Sequence, residues 1–265
     1  MKRNFSYVGG FVRAGRIMRR LVLVFLFWQA ASASGGENWE QFKYDSRHSG
    51  NVAGRFVKTP LELLAAVPLT DAIFTSPVVR DDRIYVVDGS GVAMCINGRT
   101  LRPVWRYETG GGRANCNNVS SGLIVGDYLH FGTTAGSYYI LNAASGALVK
   151  EIRCGDPIFS TPVAGGQRVY FATLGSRIYC LEPDGTVCWT WDFVKEVLGF
   201  NADRWSGEDW LNHRGRATWQ SQFCCSRNIA LYEKLLVVPT GGLVIWLEDM
   251  GTEAVLRGKY LGGPR

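Results

Sequence analysis

SPVVRDDRIYVVDGSGVAMCI, residues 76–96, returns three times further along the chain. Its later forms are SGLIVGDYLHFGTTAGSYYIL at 121–141, STPVAGGQRVYFATLGSRIYCL at 160–181 and SRNIALYEKLLVVPTGGLVIWL at 226–247. Tyr85, His130, Tyr170 and Leu236 take equivalent places in this alignment, which gives steps of 45, 40 and 66 residues. Within each unit, short apolar runs are separated by turn chemistry. In the first, Val78-Val79, Ile84-Tyr85-Val86 and Val92–Ile96 flank Asp81-Asp82 and Gly89-Ser90-Gly91. A fourth run follows as VWRYE at 104–108, ALVKEI at 147–152 and VCWTWDF at 187–193. Four strands every 40–45 residues is the period of an antiparallel β-propeller blade.

The turns agree with that reading. Ser145-Gly146 and Asp184-Gly185 stand between third and fourth strands, where a tight hairpin needs positive φ. In the third unit Ile178 and Cys180 alternate with Tyr179 and Leu181, and Val187, Trp189 and Trp191 are expected to share one face of the fourth strand. The expected fold is an all-β propeller of four-stranded antiparallel blades, incomplete, with about three full blades and partial ones.

Upstream of the repeats the chain has the layout of an export signal. Arg13, Arg16, Arg19 and Arg20 precede the apolar run LVLVFLFWQA at 21–30 and the small-residue site Ala31-Ser32-Ala33. The run is short for a membrane span, which needs about 20 residues. Met18 opens a more ordinary signal than Met1, so either could be the start. The chain as a whole carries 29 Lys+Arg against 23 Asp+Glu, but six of the basic residues and no acid lie in residues 1–33. Cleavage therefore leaves a balanced protein, without the concentrated positive charge of a nucleic-acid reader. The organisation expected is a signal peptide at 1–33, an N-terminal segment at 34–73 leading into the propeller, in which strands at 53–73 could complete a terminal blade, and three blades at 74–193. An inserted aromatic-rich segment at 194–225 and a partial blade at 226–265 follow. The protein is placed in the periplasm or outside the cell, with no transmembrane segment after cleavage.

Units such as GSRIYCLEPDGTVCWTWDF at 175–193 and GSYYILNAASGALVKEI at 136–152 resemble the repeat of pyrroloquinoline-quinone (PQQ)-type β-propellers. Leu181-Glu182, Gly185 and Trp189 match its pattern; Leu141-Asn142 and Gly146 match without the tryptophan; Ile96-Asn97 and Trp105 match without the turn glycine. WEQFKYDSRHSG at 39–50 resembles the segment before the first blade of such proteins. The family includes BamB-type assembly scaffolds as well as quinoprotein dehydrogenases, and usually has seven or eight blades. The resemblance thus implies an N-terminal fragment of a longer propeller, with two copies in one ring as the alternative.

Two features stand outside the repeat. The insertion carries Trp205, Trp210 and Trp219 with His213 among many charges, which reads either as a recognition surface or as a helical lid packed over a blade edge. Cys224-Cys225 is the second; in some quinoprotein dehydrogenases such a pair forms a ring against the quinone, so the resemblance makes both residues candidate cofactor contacts. Seven cysteines in an exported chain also suggest disulfides, Cys180 with Cys188 across a hairpin among them. No CxxCH, HExxH, GxSxG or phosphate loop occurs. His130 reads as a packed strand residue, and Asn118-Val119-Ser120 formally matches a glycosylation sequon.

The leading expectation is an exported scaffold or protein-interaction module with no cofactor and no catalytic residue, binding a protein partner or the remaining blades of a longer chain. The alternatives are a fragment of a PQQ- and calcium-dependent quinoprotein dehydrogenase and a carbohydrate-binding propeller. Nucleic acid is not an expected partner.

Overall fold

The computed structural model describes residues 38–206 and 222–261. They form four antiparallel sheets of four strands, each in simple sequence order. Blade 1 is β1 (Val78–Arg80), β2 (Arg83–Val87), β3 (Val92–Asn97) and β4 (Pro103–Glu108). Blade 2 is β5 (Leu123–Val125), β6 (Tyr128–Gly132), β7 (Ser137–Asn142) and β8 (Leu148–Arg153). Blade 3 is β9 (Val163–Gly165), β10 (Arg168–Ala172), β11 (Arg177–Leu181) and β12 (Val187–Asp192), and ends in a helical turn, α1 (Phe193–Glu196). Blade 4 is β13 (Ala230–Tyr232), β14 (Leu235–Thr240), β15 (Leu243–Asp249) and β16 (Ala254–Leu261). Among the described residues no helix is long and apolar enough to cross a membrane.

The fourth blade is therefore whole, where the sequence reading expects a partial one. AVLRGKYL has Gly258 opposite Trp246, the reverse of the tryptophan-on-the-outer-strand pattern, so its strand signal is weak. It pairs because Asp249 Oδ1 accepts from Gly251 N at 2.8 Å and Gly251 takes φ 96°, which closes the hairpin. Pairing also moves the repeat alignment in this blade by one residue. Val237, not Leu236, stands where Tyr85, His130 and Tyr170 stand, each opposite the middle of the third strand. The turn from β14 to β15 holds two residues, against three between Thr133 and Ser137 in blade 2, and alignment through the turn absorbs the difference. In the other direction, no strand forms at 53–73.

Each interface between blades has its own apolar core. Tyr85, Val87, Ala93 and Cys95 meet Ile124, Leu129, Phe131 and Tyr139 between blades 1 and 2. Tyr138 stacks on Phe171 at 3.9 Å between blades 2 and 3, and Phe171 stacks on Tyr179 at 4.8 Å. Between blades 3 and 4, Tyr170, Ile178, Cys180 and Trp189 face Leu231, Leu236, Ile245 and Leu247. Strand alternation sends one set of side chains to each neighbour, which makes these clusters separate. A bulge between Cys180 and Leu181 shifts the outer strand, so Val187 opposes Leu181 while Trp189 opposes Cys180. Val187 thus leaves the face expected for it, and Trp189 and Trp191 share theirs.

The same bulge makes Cys188 the extra residue, without a direct cross-strand partner, yet its thiol still lies beside that of Cys180, and the two are not bonded. All seven cysteines are free, Cys224 and Cys225 included. His130 is fully buried in its strand, with Tyr138 Oη 3.4 Å from Nδ1; burial holds its pKa down at about 3, so the ring is neutral. Asn118 is fully buried, which closes the sequon to modification in the folded chain.

Candidate functional site at the propeller axis

Three short segments build the axis. First, residues 39–46 cross the inner edges of all four blades in turn. Trp39 pairs with Val79, Glu40 O accepts from Ile124 N at 2.8 Å, Gln41 Oε1 accepts from Ala164 N at 3.3 Å, and Ser46 O accepts from Leu231 N at 2.8 Å. The innermost strands would otherwise present bare hydrogen-bonding edges.

Second, a ladder joins the blades just before their first strands. Ser76 N donates to Ser121 Oγ at 2.9 Å, Ser121 N to Thr161 Oγ1 at 3.1 Å, and Thr161 N to Asn228 Oδ1 at 2.8 Å. One residue earlier, a hydroxyl staples the segment to the second strand of its own blade. Thr75 Oγ1 donates to Val87 O, Ser120 Oγ accepts from Gly132 N, and Ser160 Oγ donates to Ala172 O. In blade 4 this place belongs to Arg227, which is exposed.

Third, the incoming loops clip the turns between second and third strands. Gly89 N donates to Ala72 O, Leu174 N to Pro157 O and Gly241 N to Cys224 O, at 2.6–2.8 Å. In the same register Asn118 N donates to Gly89 O and Cys225 N to Leu174 O. Cys224-Cys225 therefore occupies the clip position that Pro157-Ile158 fills one blade earlier. Both cysteine side chains are buried in the blade 3–blade 4 core, where burial raises each thiol pKa to about 12. Neither lines the axial cavity.

The cavity at this end of the axis has a volume of about 560 Å³. Its wall repeats the blade order: Ser76, Ser121, Thr161 and Asn228 form one ring, and Phe74, Val119, Phe159 and Ser226, two residues earlier, form the next. Phe42, Asn117 and Arg227 complete it, and Arg227 is the one charged residue among them. Three phenyl rings, two amides and a guanidinium suit a planar, aromatic, anionic ligand of small-molecule size. Among the described residues no group of three or more His, Cys, Asp or Glu could hold a metal ion.

The insertion is anchored beside this site by buried charge. Asp156 is 3% exposed and accepts from Trp205 Nε1 at 2.8 Å, Arg177 Nη1 at 3.0 Å and Thr173 Oγ1 at 3.1 Å. Asp192 caps α1 through Val194 N and pairs with Arg204 and Arg177. Trp205 also meets Phe223 edge-on at 5.5 Å, so it is half-buried and directed inward. Trp210, His213 and Trp219 lie outside the described residues. The residue that sequence reasoning missed is Arg227. Its signal was present in the doublets Thr75-Ser76, Ser120-Ser121 and Ser160-Thr161, which give way to Arg227-Asn228.

Comparison with known proteins places this geometry. Residues 62–158, rather more than a third of the chain, match a repeat family described as outer membrane protein assembly factor BamB. No curated protein matches the chain. Among solved structures, BamB from Moraxella catarrhalis is similar at 16% identity and TM-score 0.51, over 70% of this chain and 50% of its own. Quinohemoprotein alcohol dehydrogenase from Comamonas testosteroni is similar at 16% identity and TM-score 0.62, over 89% of this chain and 42% of its own. A europium-containing methanol dehydrogenase is similar at 13% identity and TM-score 0.64, over 84% of this chain and 48% of its own. The chain thus spans half or less of the length of each.

These likenesses overturn the expectation of a scaffold or interaction module without catalytic activity, and the non-enzymatic assignment with it. The dehydrogenases match with higher TM-scores, over more of the chain, than BamB does. The repeat match to an outer-membrane assembly factor agrees with the export signal and supports a location outside the cytoplasm. Repeat, register and likeness together make the chain a run of four PQQ-type β-propeller blades, related in fold to BamB and to the quinoprotein dehydrogenases.

Proposed function

We propose that these blades are the axial part of a PQQ-dependent quinoprotein dehydrogenase, exported from the cytoplasm and working with further blades. The observation that carries the reading is Arg227, which replaces a stapling hydroxyl with a cation facing the axial cavity. Blades 1 to 3 use a stapling hydroxyl at this place, and blade 4 does not. Fold likeness to two dehydrogenases supports the same reading.

In this proposal Arg227 would pair with a carboxylate of the quinone, Asn228 and Asn117 would offer it hydrogen bonds, and Phe74 and Phe159 would offer apolar contact. When bound, PQQ supplies a two-electron acceptor for substrate oxidation. Cys224 and Cys225, buried in the blade 3–blade 4 core, are not among the residues that would hold the quinone in this proposal.

Titration of the exported chain with PQQ, followed by tryptophan quenching with and without calcium, tests this. Saturable binding that Arg227→Ala weakens about tenfold or more, equivalent to about 1.4 kcal/mol, is the expected result. Equal binding by both proteins, or none by either, refutes the assignment.

A further inference from the structure

Blades 1 and 3 carry the same four side chains at one register. Arg83, Tyr85, Cys95 and Trp105 in blade 1 are repeated by Arg168, Tyr170, Cys180 and Trp189 in blade 3. In both, the tyrosine stands opposite the cysteine and the cysteine opposite the tryptophan across neighbouring strands. The two rings lie 6.0 Å apart in each blade, tilted at 51° and 45°. Tyrosine, cysteine and tryptophan pack toward the next blade in both cases.

What meets them there differs. Blade 4 presents Asp249, which accepts from Tyr170 Oη at 2.7 Å and from Trp189 Nε1 at 2.8 Å. Blade 2 presents Ala143 at the equivalent position. The equivalence rests on backbone bonds: Asp249 N donates to Lys234 O and Ala143 N to Asp127 O, each at 2.9 Å, and each acceptor directly precedes the second strand of its blade. Trp105 Nε1 donates instead to the backbone, at Ala143 O, at 3.0 Å. Tyr85 is 3% exposed, and the side chains that act on its hydroxyl are Arg83, Arg80 and Cys95, with no carboxylate among them. A cavity of about 390 Å³ opens here, lined by Arg80, Arg83, Tyr85 and Ala143 together with Asp81 and Asp127.

We infer that the interface of blades 1 and 2 holds a binding site for a small monocarboxylate, which takes the place that the Asp249 side chain fills between blades 3 and 4. Tyr85 Oη and the Arg83 guanidinium are its donors, the hydroxyl acting as Tyr170 does toward Asp249. Arg83 is steadied by one bond, from Nη1 to Ala144 O at 2.9 Å, and keeps further N–H groups for an anion. Arg80 is already paired with Glu40. Asp81 and Asp127 are exposed and line the same cavity, so their charge favours a singly charged ligand over phosphate or sulfate. This site shares no lining residue with the axial cavity, and the inference is independent of the quinone.

Thermal unfolding of the exported chain in sodium acetate, against sodium chloride at the same ionic strength and neutral pH, tests the site. The melting temperature should rise saturably by about 2–4 °C in acetate. Tyr85→Phe removes the donor alone and should shrink that shift to about half or less. Ala143→Asp supplies the carboxylate from the chain itself, so it should melt higher than the parent in chloride and no longer respond to acetate. Absence of an acetate shift in the parent overturns the inference. So does a full shift in Tyr85→Phe or in folded Ala143→Asp, which would place the acetate effect elsewhere. Should Ala143→Asp fail to fold by circular dichroism, Tyr85→Phe decides alone.

Discussion

Trp189 joins blade 3 to blade 4 through two separable effects, and two substitutions tell them apart. Its indole is 6% exposed, tilts against Tyr170 at 6.0 Å, and donates from Nε1 to Asp249 Oδ1 at 2.8 Å. Asp249 also accepts from Tyr170 Oη at 2.7 Å. Burial raises the Asp249 carboxyl pKa, but these bonds, Gly251 N and Arg168 outweigh it and hold it below the usual carboxylate value, so it is charged at neutral pH. Trp189→Ala removes the ring and leaves a cavity, and should cost about 3–5 kcal/mol. Trp189→Phe keeps most of the packing and removes one hydrogen bond to a charged group, for about 1.5–3 kcal/mol. For a domain of this size the Phe variant should melt about 4–10 °C lower. Because repeat blades contact only their neighbours, amide exchange should accelerate in blades 3 and 4 and remain unchanged in blade 1. A Phe variant that melts within about 1 °C of the parent would refute the argument that the indole–carboxylate bond ties these blades together. Uniform loss of protection would refute the nearest-neighbour part.

Gly132→Ala should destabilise by about 1–3 kcal/mol by overpacking, because a Cβ there would stand 2.2 Å from Ile158 Cγ2. Adding Ile158→Ala should make the pair cost less than the sum of the single changes in urea unfolding. At Asp192, burial raises the carboxyl pKa, but hydrogen bonds and charge from Arg204, Lys195 N and Arg177 prevail and hold it low. Its folded pKa lies below the unfolded value of about 3.9, so its stabilisation is present above that pH and is lost as pH falls through it toward the folded pKa. The fall in melting temperature from pH 6 to pH 3 should be shallower in Asp192→Asn, and parallel curves would count against the account. Native-state titration with a disulfide reagent should find Cys116 fast and Cys188 slower, with the five buried thiols protected and all seven released in denaturant. Five in denaturant would mean one disulfide, and peptide mapping would then tell Cys224–Cys225 from Cys180–Cys188.

Blade architecture was legible in the sequence because it rests on local physics. Period-two alternation, turn glycines and a 40–45-residue step are written within each unit, and neither His130 nor Trp189 moved from its expected environment. Registers were less legible where one residue was added or removed. The bulge at Cys188 moved Val187 to the opposite face, and the shortened turn of blade 4 put Val237 in place of Leu236. A side chain's face depends on the count of residues between hydrogen-bonded pairs, and that count is settled by pairing across strands.

The sequence by itself determined that this is a repeat of four-stranded blades, with its acids and bases balanced after residue 33 and with PQQ-type turns. Only the tertiary structure decided what lies at the axis. Residues 39–46, the doublets before each first strand and the Cys224-Cys225 clip are far apart in the chain, and they converge because every blade begins at the same centre. Convergence turned a conspicuous cysteine pair into a buried clip and an unremarked arginine into the one charge facing the cavity. Contacts between distant segments carry no local pattern, so their meaning appears only when the blades are stacked.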